Sequence, residues 1–155
     1  MGTHYTGTAA EKQVLDTWIK LVRATSSVSR SIRDPMEAAG LTESQFGVLE
    51  ILLHLGPQRQ KVLAQKHLVS GGNITMVVNN LERAGLVTRK KDLADGRAHR
   101  VELTAHGKAL IEEVFKQHLK ALMASFTALD RGEQESLGAL CKKLGKTCSK
   151  TDNER

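Results

Sequence analysis

Basic side chains are concentrated in one short stretch of the chain, residues 83–100. This stretch holds six arginines and lysines against two aspartates, in a chain whose overall net charge is +6. Guanidinium and ammonium groups neutralise phosphates, and such a cluster is typical of proteins that bind nucleic acid. The chemistry indicated is therefore phosphate binding, by Arg83, Arg89, Lys90, Lys91, Arg97 and Arg100.

A second set of candidate residues lies on one predicted helix, residues 73–84. Apolar residues recur along it at i, i+3, i+4 and i+7, which predicts one buried face, formed by Ile74, Val77, Val78 and Leu81. Asparagine and arginine on the opposite face suit adenine and guanine edges in the major groove, and the helix start favours a phosphate. The predicted DNA contacts are Ser70, Gly72, Asn73, Thr75, Met76, Asn79, Asn80 and Arg83, together with Lys90, Lys91, Arg97 and Arg100.

The elements that must position these residues can be predicted in order. Two β-like segments, residues 86–89 and 99–103, flank the basic tip, and Asp95-Gly96 is a favoured hairpin-turn pair. Three helices precede the hairpin: one between the capping-box pattern at Thr42 and the stop at Gly56, one over residues 60–67, and, after a turn at 69–72, one over 73–84. This order predicts a winged helix-turn-helix.

Long amphipathic helices are predicted on both sides of this region. Residues 10–39 have apolar side chains at helical spacing with a bend or break at Pro35, and a helix capped by Thr104 extends to about residue 129, followed by another from Asp130. These helices have more apolar surface than the core of one small lobe requires, so we expect a symmetric dimer. The predicted fold is mainly α with a small β-hairpin: a disordered N-terminus (1–9), a helical dimerisation region (10–39 and 105–146), a winged helix-turn-helix (40–104) and a disordered tail (147–155).

The chain resembles the MarR family of bacterial winged-helix transcriptional regulators. The resemblance depends on five short segments in the same order and spacing: residues 41–46 (LTESQF), 73–75 (NIT), 81–87 (LERAGLV), 95–97 (DGR) and 103–107 (LTAHG). It implies a homodimer joined through the N- and C-terminal helices, with the recognition helix in the major groove. It also implies that Arg97 reaches the adjacent minor groove and that Asp95 orients this arginine, which adds Asp95 to the DNA-contact set.

The resemblance also implies an effector. Many members are repressors released by small anionic, phenolic or quinone-like molecules, or by thiol oxidation, and the pocket typically lies between the dimer helices and the DNA-binding lobe. Trp18, Phe46 and His54 lie on helices that border this cleft and are the candidate effector contacts, although Trp18 on an apolar stripe also suits core or interface packing.

Several other classes of protein are not favoured by the sequence. No apolar run approaches the ~20 residues that cross a bilayer, so we expect a cytoplasmic protein. The histidines show no HxxxH spacing and the cysteines no CxxC spacing, so neither a metal nor a cofactor is expected. No nucleophile-base order, phosphate-binding glycine loop or paired carboxylate motif indicates an enzyme.

The function predicted is a sequence-specific, double-stranded-DNA-binding regulator, a homodimeric repressor on a palindromic operator, released by a phenolic, quinone-like or other aromatic or anionic effector. One alternative is a winged-helix module whose basic hairpin contacts an acidic protein. Another is a redox-responsive regulator acting through Cys141 and Cys148, which are seven residues apart and would share one face of a continuous helix. Residues 10–39 lack the cysteine that oxidation-sensing members commonly carry in this helix.

Overall fold

The computed structural model of the protein describes residues 3–67, 71–92 and 99–152. Its helices are α1 (Ala9–Ser31), α2 (Asp34–Ala38), α3 (Glu43–Leu55), α4 (Gln60–His67), α5 (Gly71–Arg83), α6 (Ala105–Ser125) and α7 (Arg131–Asp152). Its strands are β1 (Gln58–Arg59), β2 (Val87–Lys91) and β3 (His99–Leu103). The mainly α architecture with a small antiparallel sheet confirms the predicted fold class.

Reciprocal hydrogen bonds fix the starts of α1 and α3. At α3, Thr42 Oγ1 accepts from the Gln45 backbone N–H (3.2 Å) and Gln45 Oε1 accepts from the Thr42 N–H (2.9 Å), which confirms the predicted capping box. Thr8 and Glu11 form the same arrangement at α1. Hydrogen bonds from the Thr8 backbone N–H and then its hydroxyl lower the pKa of Glu11.

The predicted helix breaks lie where proline and glycine impose them. α1 ends at Ser31 and α2 begins at Asp34, with Pro35 in its first turn, where the missing N–H costs nothing. α5 ends before Gly85, whose φ of +67° is a left-handed conformation that glycine adopts without a steric penalty. The backbone therefore turns directly from α5 into β2.

One apolar core lies beneath the sheet and is formed by α2 to α6 with β2 and β3. Its largest fully buried side chains include Leu49, Leu63, Ile74, Leu81 and Ile111. By contrast, α1 contributes no buried residue, and every side chain of residues 131–146 in α7 is exposed. None of the described helices combines the length and apolarity that crossing a membrane requires.

The three strands pair in the order β1-β3-β2, with both pairs antiparallel. The β2–β3 hairpin confirms the prediction, whereas β1 was not predicted. A strand of two residues is too short to show the period-two alternation by which strands are recognised. Arg59 of β1 pairs with Arg100 of β3, and Lys90 of β2 pairs with the same Arg100 from the other side.

Several element boundaries differ from those predicted. α5 begins at Gly71, inside the turn predicted at 69–72, because first-turn N–H groups need no intrahelical partner. α6 ends at Ser125 instead of near residue 129, and the Phe126 N–H closes its last turn on the Leu122 and Met123 carbonyls. α7 continues to Asp152, into the segment for which disorder was predicted, since extending an existing helix costs little.

Candidate nucleic-acid interface

α5 has one buried and one exposed face, as predicted. Ile74, Val77, Val78 and Leu81 are all buried in the core. On the opposite side Asn73, Thr75, Asn79 and Arg83 are exposed, Asn80 is partly exposed, and the apolar Met76 is 58% exposed. We call Thr75, Met76, Asn79, Asn80 and Arg83 the recognition face.

Neighbouring side chains hold the recognition face in a defined geometry. Gln60 Nε2, at the start of α4, donates to Thr75 Oγ1 at 2.6 Å. Within α5, Arg83 Nη2 donates to Asn80 Oδ1 at 2.7 Å. The recognition face is therefore positioned by α4 and by its own helix.

Arg89 connects the recognition face to the wing, which is the hairpin of β2 and β3. Its Nη2 donates to Asn79 Oδ1 at 2.6 Å, and its Nη1 forms an ion pair with Glu82 on the same helix. Arg89 pairs in register with Val101, which is buried, so both side chains lie on the inner side of the sheet. The sequence placed Arg89 among the phosphate-binding cations, but in the structure its guanidinium contacts α5.

A buried carboxylate organises the outer side of the wing. Asp92 follows β2 and is only 3% exposed. Its Oδ2 accepts from Arg59 Nε at 2.8 Å and from Arg100 Nε at 3.0 Å. Sequence reasoning identified Arg100 but not Arg59 or Asp92, since the Arg59–Asp92 pair spans 33 positions and leaves no local pattern.

The remaining wing cations differ in their surroundings. Lys90 forms an ion pair with Glu102, yet its side chain remains 66% exposed. Lys91 is exposed at the end of β2. Ser70, Asp95 and Arg97 lie outside the described residues, and Gly72 is described only as part of the α5 backbone.

The structure separates the three candidate effector contacts into two places. Trp18 lines a groove of about 670 Å³ beside α1, together with residues that include Arg33 and Glu43. Phe46 is 4% exposed and belongs to the core, which its apolar neighbours in α3 explain. Its ring lies 4.6 Å from the His118 ring.

His54 belongs to the same aromatic cluster as Phe46. The His54 ring meets the Phe115 ring edge-on at a centroid distance of 4.8 Å, and Phe115 stacks on His118 at 6.4 Å. Phe46 and His54 are thus linked through two residues of α6, and neither lines the groove that contains Trp18.

Among the described side chains, no group of three or more histidine, cysteine or acidic residues could hold a metal ion. Cys141 is a free, exposed thiol on α7. The side chain of Cys148 lies outside the described part of the chain.

Comparisons with known proteins agree on one family. A model of the MarR family matches residues 41–99. The chain is 33% identical over 135 residues to the HTH-type transcriptional regulator YkoM of Bacillus subtilis (strain 168), covering 86% of this chain and 87% of YkoM. It is 29% identical over 140 residues to MhqR of the same organism, covering 90% and 97%. A solved structure of NadR in complex with 4-hydroxyphenylacetate matches with a TM-score of 0.71 at 26% identity, covering 94% of this chain and 99% of NadR.

Proposed function

Since the chain belongs to the MarR family of transcriptional regulators, we propose that it is a homodimeric repressor that binds a palindromic double-stranded operator and releases it when a small aromatic or anionic effector binds. Membership of this family makes the protein a regulator and not an enzyme.

The observation that carries the DNA-binding proposal is the continuity of the recognition face with the basic wing. Arg89 joins Asn79 to β2, and Gln60 joins Thr75 to the chain that follows β1. A recognition helix in the major groove and a wing beside it must contact one duplex together, so their relative position has to be fixed. These hydrogen bonds supply that constraint.

The dimer is supported by apolar surface on the terminal helices. On α1, Val14 is 68% and Trp18 is 59% exposed. On α7, Leu137, Leu140 and Leu144 form an exposed stripe at i, i+3 and i+7. Apolar surface of this extent is typical of a protein–protein interface, and a second copy would cover both helices at once.

An effector of the aromatic-acid class is supported by the NadR structure, which contains 4-hydroxyphenylacetate. In our proposal the ligand favours one arrangement of the two protomers over another. Half-sites lie about 34–36 Å apart along the duplex, so a shift of a few ångströms in recognition-helix spacing removes base contacts on one side. The free energy that couples effector binding to DNA release is then set by the difference in effector affinity between the two arrangements.

A titration of the full chain against a palindromic duplex, selected by the protein from a random library, tests the proposal. We expect tight binding whose logarithmic affinity falls with the logarithm of salt concentration by about 0.9 per phosphate contact. Addition of 4-hydroxyphenylacetate should weaken binding, and a scrambled duplex is the control. A flat salt response at micromolar affinity would contradict DNA binding, whereas insensitivity to this and related aromatic acids would contradict only the effector class.

A further inference from the structure

Arg59 was not among the predicted DNA contacts, yet it pairs across the sheet with Arg100, which was. We propose, on the basis of the DNA-binding function above, that Arg59 is a phosphate contact between the recognition face and the wing, and that Asp92 is a positioning residue that aims Arg59 and Arg100 at the DNA backbone. The proposal adds one contact to the interface and explains why an acidic residue is buried beside it.

Strand register places Arg59 in a row of cations. Arg59 lies opposite Arg100 across the β1–β3 pair, and Arg100 lies opposite Lys90 across the β3–β2 pair. Residues directly opposite one another on antiparallel strands project to the same side of a sheet. Val101, which follows Arg100, is buried at 1% exposure, so the cationic row faces away from the core.

The same residue borders the recognition face. Gln60, immediately after Arg59, donates to Thr75 Oγ1 on α5 at 2.6 Å. The Arg59 side chain is 43% exposed, and its Nε is 2.8 Å from Oδ2 of Asp92, which directly follows β2. Arg59 therefore adjoins Gln60, which contacts the helix proposed to enter the major groove, and lies opposite Arg100 on β3. A duplex that spans this helix and the wing would present its backbone here.

Asp92 has the environment of a residue that orients others. Its side chain is 1% exposed, and a buried carboxylate is costly unless it is paired and hydrogen-bonded. Here the pairing is with the Nε of two arginines, whose planar guanidinium groups it fixes. A guanidinium has five N–H donors in a rigid fork, which suits phosphate, and the side chains of Arg59 and Arg100 remain 43% and 47% exposed beside Asp92.

Substitution of Asp92 distinguishes an effect of its charge from an effect of positioning, because the two predict opposite changes in DNA affinity. Asp92→Asn removes one negative charge, and charge alone would tighten binding to any duplex. Positioning instead predicts about a tenfold loss of affinity for both the palindromic and the scrambled duplex, because the two arginines lose the orientation in which they contact phosphates of either duplex. Equal tightening on both duplexes would overturn the positioning role.

Arg59 is tested on the same two duplexes as a function of salt. Arg59→Ala should weaken both by about tenfold and reduce the slope of log affinity against log salt by about one, as expected for a lost phosphate contact. Arg131→Ala is the matched control, because Arg131 is 93% exposed on α7 and pairs only locally with Glu135. We expect it to leave affinity and slope unchanged.

A conservative variant separates contact from folding. Arg59→Lys keeps the charge but not the fork, so it should retain the salt slope while losing affinity for the palindromic duplex, and a melting curve verifies that each variant is folded. If folded Arg59→Ala has the same salt slope and affinity as the unsubstituted protein, and that protein binds DNA normally, then Arg59 is not a phosphate contact. The proposed function would remain intact. Failure of the unsubstituted protein to bind any duplex would overturn both.

Discussion

Thr104 shows how one side chain can join three elements. Its hydroxyl donates to the Gly85 carbonyl at 2.7 Å and accepts from the Gly107 backbone N–H at 2.9 Å. Its backbone N–H donates to the Leu86 carbonyl at 3.1 Å. The end of α5, the approach to β2 and the start of α6 are thus fixed at one point, which positions the wing relative to the recognition helix.

Position 107 must be glycine because this junction has no space for a side chain. A Cβ at Gly107 would overlap the backbone carbonyl of Leu86, which cannot move without displacing β2. We expect Gly107→Ala to lower the free energy of unfolding by about 3 kcal/mol through overpacking. Gly138→Ala on α7 is the control, since a Cβ there meets no atom within 4 Å and should stabilise the helix by roughly 0.5–1 kcal/mol. Urea denaturation of both variants measures the difference, and equal stabilities would contradict the steric explanation.

At the scale of elements, Arg89 forms a polar contact between β2 and α5. Arg89→Ala removes the ion pair with Glu82 and the hydrogen bond to Asn79. Because these groups are partly exposed, the loss of stability should be below about 1 kcal/mol. We expect instead about a tenfold loss of affinity for a specific duplex and a smaller loss for a scrambled one, since the variant loosens the recognition face. Fluorescence anisotropy measures both affinities.

Glu82→Gln provides the companion measurement for Arg89. It retains an acceptor for the Arg89 guanidinium but removes the charge, so its effect on specific binding should be smaller than that of Arg89→Ala. If Arg89→Ala weakens the affinity for specific and scrambled duplexes equally, then Arg89 contacts phosphate, as the sequence alone indicated.

Elements with a local signal were predictable, whereas pairings distant in sequence were not. The two faces of α5 follow from the spacing of its apolar residues, and the start of α3 follows from Thr42 and Gln45. β1 is too short for any periodicity, and the contacts of Asp92 depend on strand order, which a single sequence does not reveal. Consequently the recognition face was predicted and Arg59 was not.

The same limit applies to the effector contacts. Trp18 and Phe46 both belong to apolar stripes of helices, and a stripe does not indicate what covers it. The structure buries Phe46 in the protomer core and leaves Trp18 exposed beside a groove. Only the arrangement of the whole molecule distinguishes the two.

At the scale of the whole molecule, the DNA-binding lobe has a complete core while the terminal helices do not. A cavity of about 400 Å³ at the junction of α6 and α7 is lined largely by apolar side chains, among them Leu122 and Phe126. The leucine stripe of α7 is exposed along its length. In the proposed dimer a second copy covers these surfaces, so the separation of the two recognition helices depends on how α7 packs.

Substitution in the α7 stripe should therefore weaken both the dimer and operator binding. Leu140 is 64% exposed, and burying a leucine contributes about 2 kcal/mol. A symmetric interface buries Leu140 of both copies, so the contribution to the free energy of dimerisation is doubled. We expect Leu140→Asp to weaken dimerisation by roughly a thousandfold and to reduce binding to the palindromic duplex to that of a half-site. Lys142→Asp, on the same helix but off the stripe, is the control and should remain dimeric. Sedimentation equilibrium measures both variants, and a persistent Leu140→Asp dimer would place the interface elsewhere.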